Sequence, residues 1–431
     1  MANTDWRQRL GRFIAGGNFT GDTLHDIALD YGYPEDVDFE HFYNMYRRFG
    51  IAKNIIELPV DTCWSTNPSI ESESPSFNDE MNELRLRVKL WQRLKGLDCR
   101  QRIGRYAGLY VQVRDGKRPS EPMDKVGGGI GAIVKVTPLY ESQLEITQID
   151  ENPNSETYGR PILLQYNGSA AGDLSERATS TQTIHASRII FAAEGADDGS
   201  IYGIPSLESV FNSLMDLRKI IGAGGEGFYR NAAQSIVFNL DKDAQADVSV
   251  LEQFNEQFDN FTRDRMRRGM WTPNMTANTL ESNLSNPKDF FTSALNDVAA
   301  GSKIPATILI GQQTGRLASQ EDSANFLSLM QSRRVNFCSS MAESFIDWCM
   351  SYNVLPFVEY AVEWDDLLAR SDDDRLAIAA KMSEVNERQF RSGGGIAFDA
   401  DEIREAAGYE HENLEMPSES LDELDDEQKD T

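Results

Sequence analysis

From Ser319 to about Asn353 the chain keeps a helical pattern, which at 1.5 Å per residue is a rod of roughly 50 Å. Ser319 and Asp322 read as its capping box. Few compact domains hold so long a helix, so this segment constrains the fold more than any other. Just before it, the stretch KIPATILIGQQTGRLASQEDSANF (303–326) has a strand-like apolar run, Ile304 to Ile310, then a loop rich in Gly and Gln. Strand, Gly loop and helix are the parts of a phosphate cradle, but the spacing argues against one. Gly311 and Gly315 are one residue closer than a P-loop requires, and Arg316 and Leu317 stand where Lys and a hydroxyl residue should follow. The loop is not expected to hold a nucleotide.

The rest of the chain predicts an α+β fold. Residues 42–63 read as a helix interrupted by Pro59, and 78–104 as a helix-rich segment with a basic solvent side. Strand patterns follow at 109–113, 133–140, 143–149, 161–166 and 185–193, separated by turn-rich stretches at 127–131, 151–159 and 167–173. They predict an antiparallel or mixed sheet. After Pro205 the period changes, with Leu207, Val210, Phe211, Leu214, Leu217 and Ile221 on one helical face. Gly222, Gly224, Gly225 and Gly227 then loosen that helix.

A small module comes next, with strand patterns at 235–240 and 270–280 around a helix near 249–268. Its helix carries Glu252, Glu256 and Asp259 early and Arg263, Arg265, Arg267 and Arg268 late, which suits the helix dipole. A further helix opens with Asn286 as cap and Pro287 in first position, stopping near Gly301. Residues 358–364 read as a strand, and 372–390 and 400–407 as helices.

Composition excludes more than it selects. Net charge is −27 over 431 residues, which disfavours broad, tight binding to phosphates. The charge is uneven. Residues 85–105 hold Arg85, Arg87, Lys89, Arg93, Lys95, Arg100, Arg102 and Arg105 against one acid, Asp98, while the last 22 residues carry ten acids and only Lys429. No apolar run nears the ~20 residues of a membrane span, and the N-terminus does not resemble a secretory signal, so a soluble, cytoplasmically made protein is expected. Cys63, Cys99, Cys338 and Cys349 form no metal or disulfide pattern and read as buried thiols. GGGIG (127–131) precedes a strand and fails as a dinucleotide fingerprint, and AGGEGF (223–228) reads as a hinge or close packing. Asp297, Glu321 and Asp322 read as caps and solvated acids rather than a metal cluster. No catalytic constellation, cofactor or metal site is expected.

Four segments, in order, resemble the portal (head-to-tail connector) proteins of tailed bacteriophages. They are YRRFGIAKNIIELPVDTCW (46–64), HASRIIFAAEG with IYGIPSLESVFNSL (185–214), KIPATILIGQQTGRLASQEDSANF and FDADEIREAAGY (398–409). Their order and spacing over about residues 40–410 carry the resemblance, which is to the short portals without a large C-terminal barrel.

The resemblance implies a portal fold assembled as a ring, commonly of twelve subunits, at one capsid vertex. Each subunit would have an N-terminal arm (1–40), a wing (41–205), a first stem helix (206–233), a clip (234–285) and a second stem helix (286–302). A wing segment with tunnel loop and long helix (303–370), a helical crown (371–409) and an acidic, disordered tail (410–431) would follow. The tunnel loop, Gln312, Gln313, Thr314, Gly315, Arg316, Leu317 and Ser319, would face double-stranded DNA passing without sequence preference. One cation per subunit, Arg316, would be repeated around the axis. The clip residues Arg263, Arg265, Arg267, Arg268 and Trp271 would face the packaging motor, the terminase large subunit, and later the head-completion or tail adaptor protein. Major capsid and scaffold proteins would surround the ring. The resemblance implies no enzyme, with ATP hydrolysis left to the terminase, and places the chain in the virion after assembly in the host cytoplasm. Another head or adaptor protein, or a hydrolase using acids near Glu321, are the competing readings.

Overall fold

A computed structural model describes residues 27–409 apart from 156, 169–180, 197–199, 233–234, 241–251, 253–254, 257–274, 281–285, 312–315 and 369–371. The chain divides into two units, Met1–Trp364 and Asp365–Thr431.

The first unit opens with α1 (Ile27–Tyr31), α2 (Phe39–Arg48) and α3 (Gly50–Cys63). Asp38 caps α2 by accepting from the His41 amide at 3.1 Å. The helical stretch predicted over 42–63 is broken by extended backbone at Phe49, not by Pro59, which lies buried inside α3. Strand β1 (Ser69–Glu71) precedes α4 (Pro75–Val88) and α5 (Leu90–Ile103), and Lys89 turns the chain between these helices in the left-handed region at φ 54°.

Eight strands, seven from this part of the chain and one at 361–363, build three antiparallel arrays. One sheet has the order β3 (Ile133–Tyr140), β2 (Ala107–Val113), β7 (Ile189–Ala192), and the other β4 (Leu144–Ile149), β5 (Pro161–Asn167), β6 (Thr181–His185). The segment predicted as one strand, 185–193, is split between the two sheets by a 3-10 turn at Ala186–Arg188. A second 3-10 turn, Glu141–Gln143, passes the chain from β3 to β4.

An ion pair pins each corner, the first buried and the second with its arginine at the surface. At the first, Arg188 bonds Asp115 at 2.5 Å, with both side chains almost fully buried. At the second, Arg105 clasps Glu141 through Nε at 2.9 Å, Nη2 at 2.7 Å and its own amide at 2.7 Å. Tyr106, Tyr110, Leu139, Leu144, Leu164, Ile184 and Ile189 form the core the two sheets share. Gly108 lets the sheets meet, because a Cβ there would lie 2.4 Å from Leu144 Cδ1 and 2.8 Å from Ile189 Cγ2.

Two helices flank a ribbon next. The first, α6 (Phe211–Ala232), runs straight through Gly222, Gly224, Gly225 and Gly227, whose lower helix propensity weakens a helix without breaking it as Pro would. The ribbon pairs β8 (Ser235–Leu240) with β9 (Met275–Leu280) over all six residues of each. The second helix, α7 (Lys288–Ser302), begins with the Lys288 amide bonded to Asn286 Oδ1 at 3.1 Å, the predicted cap. It runs antiparallel to α6, since Gly224 lies against Pro287 and Gly301 against Val210. Gly301 does not stop α7; a Cβ there would meet Val210 Cγ1 at 2.5 Å, so this glycine serves close helix packing.

Ala306–Ile310, predicted as strand-like, is the short helix α8. Pro305 opens it, Leu309 is buried, and Gly311 closes it in the left-handed region at φ 68°. The long helix is present at about the length the sequence suggested, shifted a few residues toward the N-terminus. It comprises α9 (Arg316–Arg333), one π turn (Arg334–Cys338) and α10 (Ser339–Ser351), about 54 Å in all. It starts before Ser319, so the Ser319–Asp322 capping box does not form, and both residues lie within the first turns.

The predicted strand 358–364 shrinks to β10 (Ala361–Glu363), which pairs with β1. The sequence reading missed β1 because three residues carry too little alternation to show a strand.

In the second unit α11 (Asp372–Arg391) and α12 (Ala400–Ala407) match the predicted helices. Asn386 ties their connection down: its Oδ1 accepts from the amides of Ala397 and Phe398, and its Nδ2 donates to Phe398 O at 2.7 Å. Asp399 and Glu402 form a capping box on α12.

Gly108→Ala should lower stability by about 1–3 kcal/mol, because its methyl has no room between the two sheets. A lower denaturant midpoint with unchanged far-UV circular dichroism is the expected result.

Candidate functional site

The residues predicted to line a channel sit where α8 turns into α9. Gln312, Gln313, Thr314 and Gly315 lie outside the described residues. Arg316, Leu317 and Ser319 do not belong to a loop: they form the first turn of α9, where a run of residues without Gly or Pro lets the helix start. Both ends of the corner are fastened. Asn54 Nδ2 donates to Leu309 O at 2.8 Å, and Thr307 Oγ1 donates to Asp322 Oδ2 at 2.7 Å. Asp322 therefore holds the corner rather than a metal. Asp297, grouped with it in the sequence, accepts from Ser213 on α6 instead. Among the described residues no group of acids, histidines and cysteines is arranged to bind a metal ion. Arg263, Arg265, Arg267, Arg268 and Trp271 also lie outside the described residues, as does the tail after Tyr409.

About 26 Å along the rod from Arg316, the long helix enters a buried charged cluster that the sequence reading did not find. Arg333 grips Asp98 through Nη2–Oδ1 at 2.5 Å and Nη1–Oδ2 at 2.9 Å. The same guanidinium reaches Glu194 through Nε at 2.8 Å and Nη2 at 2.9 Å. Arg102 pairs with Glu194 at 2.9 Å, and Trp64 Nε1 donates to Asp98 at 2.9 Å. Asp98 is fully buried.

Burial alone would push the Asp98 carboxyl up, yet Arg333, Arg102 and the Trp64 indole together hold it below the usual carboxylate range. Glu194 follows the same logic, with Arg333 and Arg102 outweighing its burial. The basic segment 85–105 is thus not simply a solvated face, since Arg102 and Asp98 point into the protein. The lone acid in that segment and the Arg333–Arg334 pair within an apolar helical stripe were the signals available.

The cluster also closes the end of α3. Pro59 has no N–H, so the Ile55 carbonyl loses its helical partner, and Arg102 Nη2 donates to it at 3.3 Å. Arg334, fully buried, donates to Cys63 O at 2.6 Å and Thr62 O at 3.3 Å at the C-terminus of α3. Cations there meet the negative end of the helix dipole.

The thiols nearby are structural. Cys63, Cys338 and Cys349 are buried, and burial raises the Cys99 thiol to about 11.

Two antiparallel helices around a ribbon, a two-sheet body and a rod that runs into it make up the first unit. The phage portal protein family matches residues 41–387. No curated protein matches the sequence. Among solved structures, one from the virion of a native gene transfer agent particle is 12% identical, covers 93% of this chain and 99% of its own, and superposes with a TM-score of 0.51. One from the neck of an empty particle of the same kind, computed with C6 symmetry, is 13% identical with coverage of 86% and 93% and a TM-score of 0.50. An HK97 family phage portal protein from Corynebacterium diphtheriae is 11% identical, with coverage of 75% and 94% and a TM-score of 0.41.

The chain belongs to the phage portal protein family. Its function is that of a portal at the capsid vertex.

Asp98→Asn should destabilise the protein by about 3–5 kcal/mol, because it leaves Arg333 buried with half its counter-charge. The pH dependence has a definite sign. Both carboxyl pKa values are depressed in the fold, so their stabilisation is complete above about pH 4, the unfolded carboxylate value, and is lost as pH falls below it. The acid limb of a Tm-against-pH profile should therefore be shallower in Asp98→Asn than in the parent.

Proposed function

We propose that copies of this chain, commonly twelve, close into a ring whose axial hole conducts double-stranded DNA during packaging and ejection. The observation that carries this is the family match over residues 41–387, which spans the paired helices, the ribbon and the long helix together. In this reading α6 and α7 are the stem, the β8–β9 ribbon belongs to the clip, and the body around the two sheets is the wing. The corner between α8 and α9 faces the channel. Its neutral amides and hydroxyl give DNA no sequence-specific grip, and Arg316 supplies one cation per subunit. A single ring of positive charge centres a polyanion without the many phosphate contacts that would hold it fast.

The clip, with Arg263, Arg265, Arg267, Arg268 and Trp271, would dock the terminase large subunit and afterwards the head-completion or tail adaptor. Major capsid and scaffold proteins would contact the wing as the ring is built in during assembly in the host cytoplasm. The chain itself is no enzyme in this scheme: ATP hydrolysis belongs to the motor.

Electron microscopy of the purified chain, with its mass measured in parallel, should show rings with an axial hole and near twelve subunits. A monomer or dimer that stays so when capsid and scaffold proteins are present would overturn the ring. In virions assembled with Arg316→Ala, rings should form normally while the yield of filled heads drops several-fold. Unchanged filling would remove Arg316 from the channel.

A further inference from the structure

Most cations of the segment 85–105 are used inside the fold. Arg87 donates to Ile130 O and Ile133 O, Lys95 pairs with Asp61 at 2.8 Å, Arg100 lies over the Tyr140 ring, and Arg102 and Arg105 meet Glu194 and Glu141. Arg85, Lys89 and Arg93 meet no carboxylate among the described residues. All three surround the break between α4 and α5 at Lys89.

Two adjoining cavities open at this break, of about 400 and 220 Å³, and both are lined by Arg85 and Trp91. The larger lies between residues 68–72, which include β1, and the face of α4 that carries Asn78, Asn82 and Arg85. Among the described residues Arg85 Nε and Trp91 Nε1 are buried atoms without a hydrogen-bond partner; Arg93, Arg100 and Arg102 also have an unpartnered Nε, but they line neither cavity. Buried donors are almost always satisfied, because an N–H taken out of water without an acceptor is costly. Two that belong to the walls of one open cavity mark a place built for an acceptor from outside. Glu71 is the one carboxylate in that lining, and no ion pair neutralises the cations beside it.

We propose that a second copy of the chain completes this junction, laying an extended, acid-bearing segment into the larger cavity. Carbonyl oxygens of that segment accept from Arg85 Nε and Trp91 Nε1, and its carboxylate faces Lys89, which lines the adjoining smaller cavity with Arg85. The inference rests on the ring reading above.

Three observations select this occupant. The unpartnered donor atoms are buried, so phosphates on the outside of a duplex do not reach them, whereas a single extended strand does. The walls mix amide and hydroxyl groups, Asn82 and Ser69 among them, with the cations, which suits a peptide better than a bare polyanion. The chain carries −27, so neighbouring copies repel one another unless acids of one meet cations of the next. A ring interface joins two different faces of the same molecule, so a cationic acceptor on one face and an acidic donor on the other are the complementary pair it needs.

Arg85→Glu/Lys89→Glu should weaken assembly by about tenfold or more, while Lys89→Arg, which keeps the charge and leaves Arg85 in place, should assemble nearly as the parent does. Thermal unfolding of each variant reports whether the subunit itself is intact. Independently, p-benzoylphenylalanine at Asn82 in the otherwise unaltered chain should, on irradiation of purified rings, give a covalent dimer. Mass spectrometry should map its cross-link to an acidic segment of the second copy. If the parent chain forms no rings, the ring reading itself fails. If the parent forms rings but the charge-reversed variant does so equally well, this inference fails and the ring stands. The same holds if Asn82 cross-links only within its own chain, to a segment without acids, or to added duplex DNA.

Discussion

The end of α3 is where the fold is held together. Arg102, Arg333 and Arg334 converge on its last turns, two of them tied to Asp98 and Glu194, and all three donate to carbonyls or carboxylates there. Two guanidiniums against two carboxylates make the Arg102–Arg333–Asp98–Glu194 group neutral, which is the condition for burying it at all. Its members come from α5, the strand end after β7, and the long helix. Removing one therefore leaves a buried charge on an element far away in sequence. Pro59 belongs to this arrangement, because the carbonyl it frees is one that Arg102 fills. A proline that should weaken a helix becomes the point where a second helix is attached.

The same cluster explains the irregularity in the long helix. Along α9 the buried stripe is Phe326, Met330 and Arg333; beyond it the stripe is Arg334, Cys338, Met341, Phe345 and Cys349. The two stripes are out of step by one residue, and one extra residue in a turn is what a π segment supplies. Arg333 can thus face Asp98 while its neighbour Arg334 faces the end of α3. With its middle clamped in this way and its start fastened by Thr307–Asp322, the rod presents the corner at Arg316 from a fixed base. In the conduit proposed above, the few residues at the channel would be held by this clamped scaffold.

Long periodic elements could be read directly from the sequence: the long helix, the helices flanking the ribbon, the cap at Asn286 and the two helices after 371. Strand patterns were mostly right in place, but which strands pair could not be read, because alternation says nothing about which sheet a strand joins. His185–Ile189 shows the reason. The residues on both sides favour extended backbone, and the turn between sheets is held by contacts from far along the chain, Arg188 to Asp115, 73 positions away, and the Met123 amide to the Ser187 hydroxyl. Ala306–Ile310 failed differently: five apolar residues fit a strand or a buried helical turn equally well, and Pro305 and Gly311 at its ends decided for the helix. The charged cluster was hidden because arginine in a basic segment reads as surface until a buried acid is found to face it.

The motifs that identify the family turn out to be scaffold, not site. In HASRI, His185 Nδ1 accepts from the Ser187 amide at 3.1 Å, the Ser187 hydroxyl accepts from the Met123 amide, and Arg188 pins the corner. In YGIP, a Cβ on Gly203 would lie 2.3 Å from the Glu194 carbonyl oxygen, so only glycine lets the chain pass the cluster there. In KIPATILIG, Ile304 and Leu309 are buried and Gly311 takes a left-handed turn. Each marks a place where the backbone has no alternative, and such places leave a pattern in sequence. Surfaces that meet DNA, a motor or a neighbouring copy need only charge and shape, which many residues can supply. The α4–α5 junction, proposed above to meet a neighbouring copy, accordingly falls in none of these motifs.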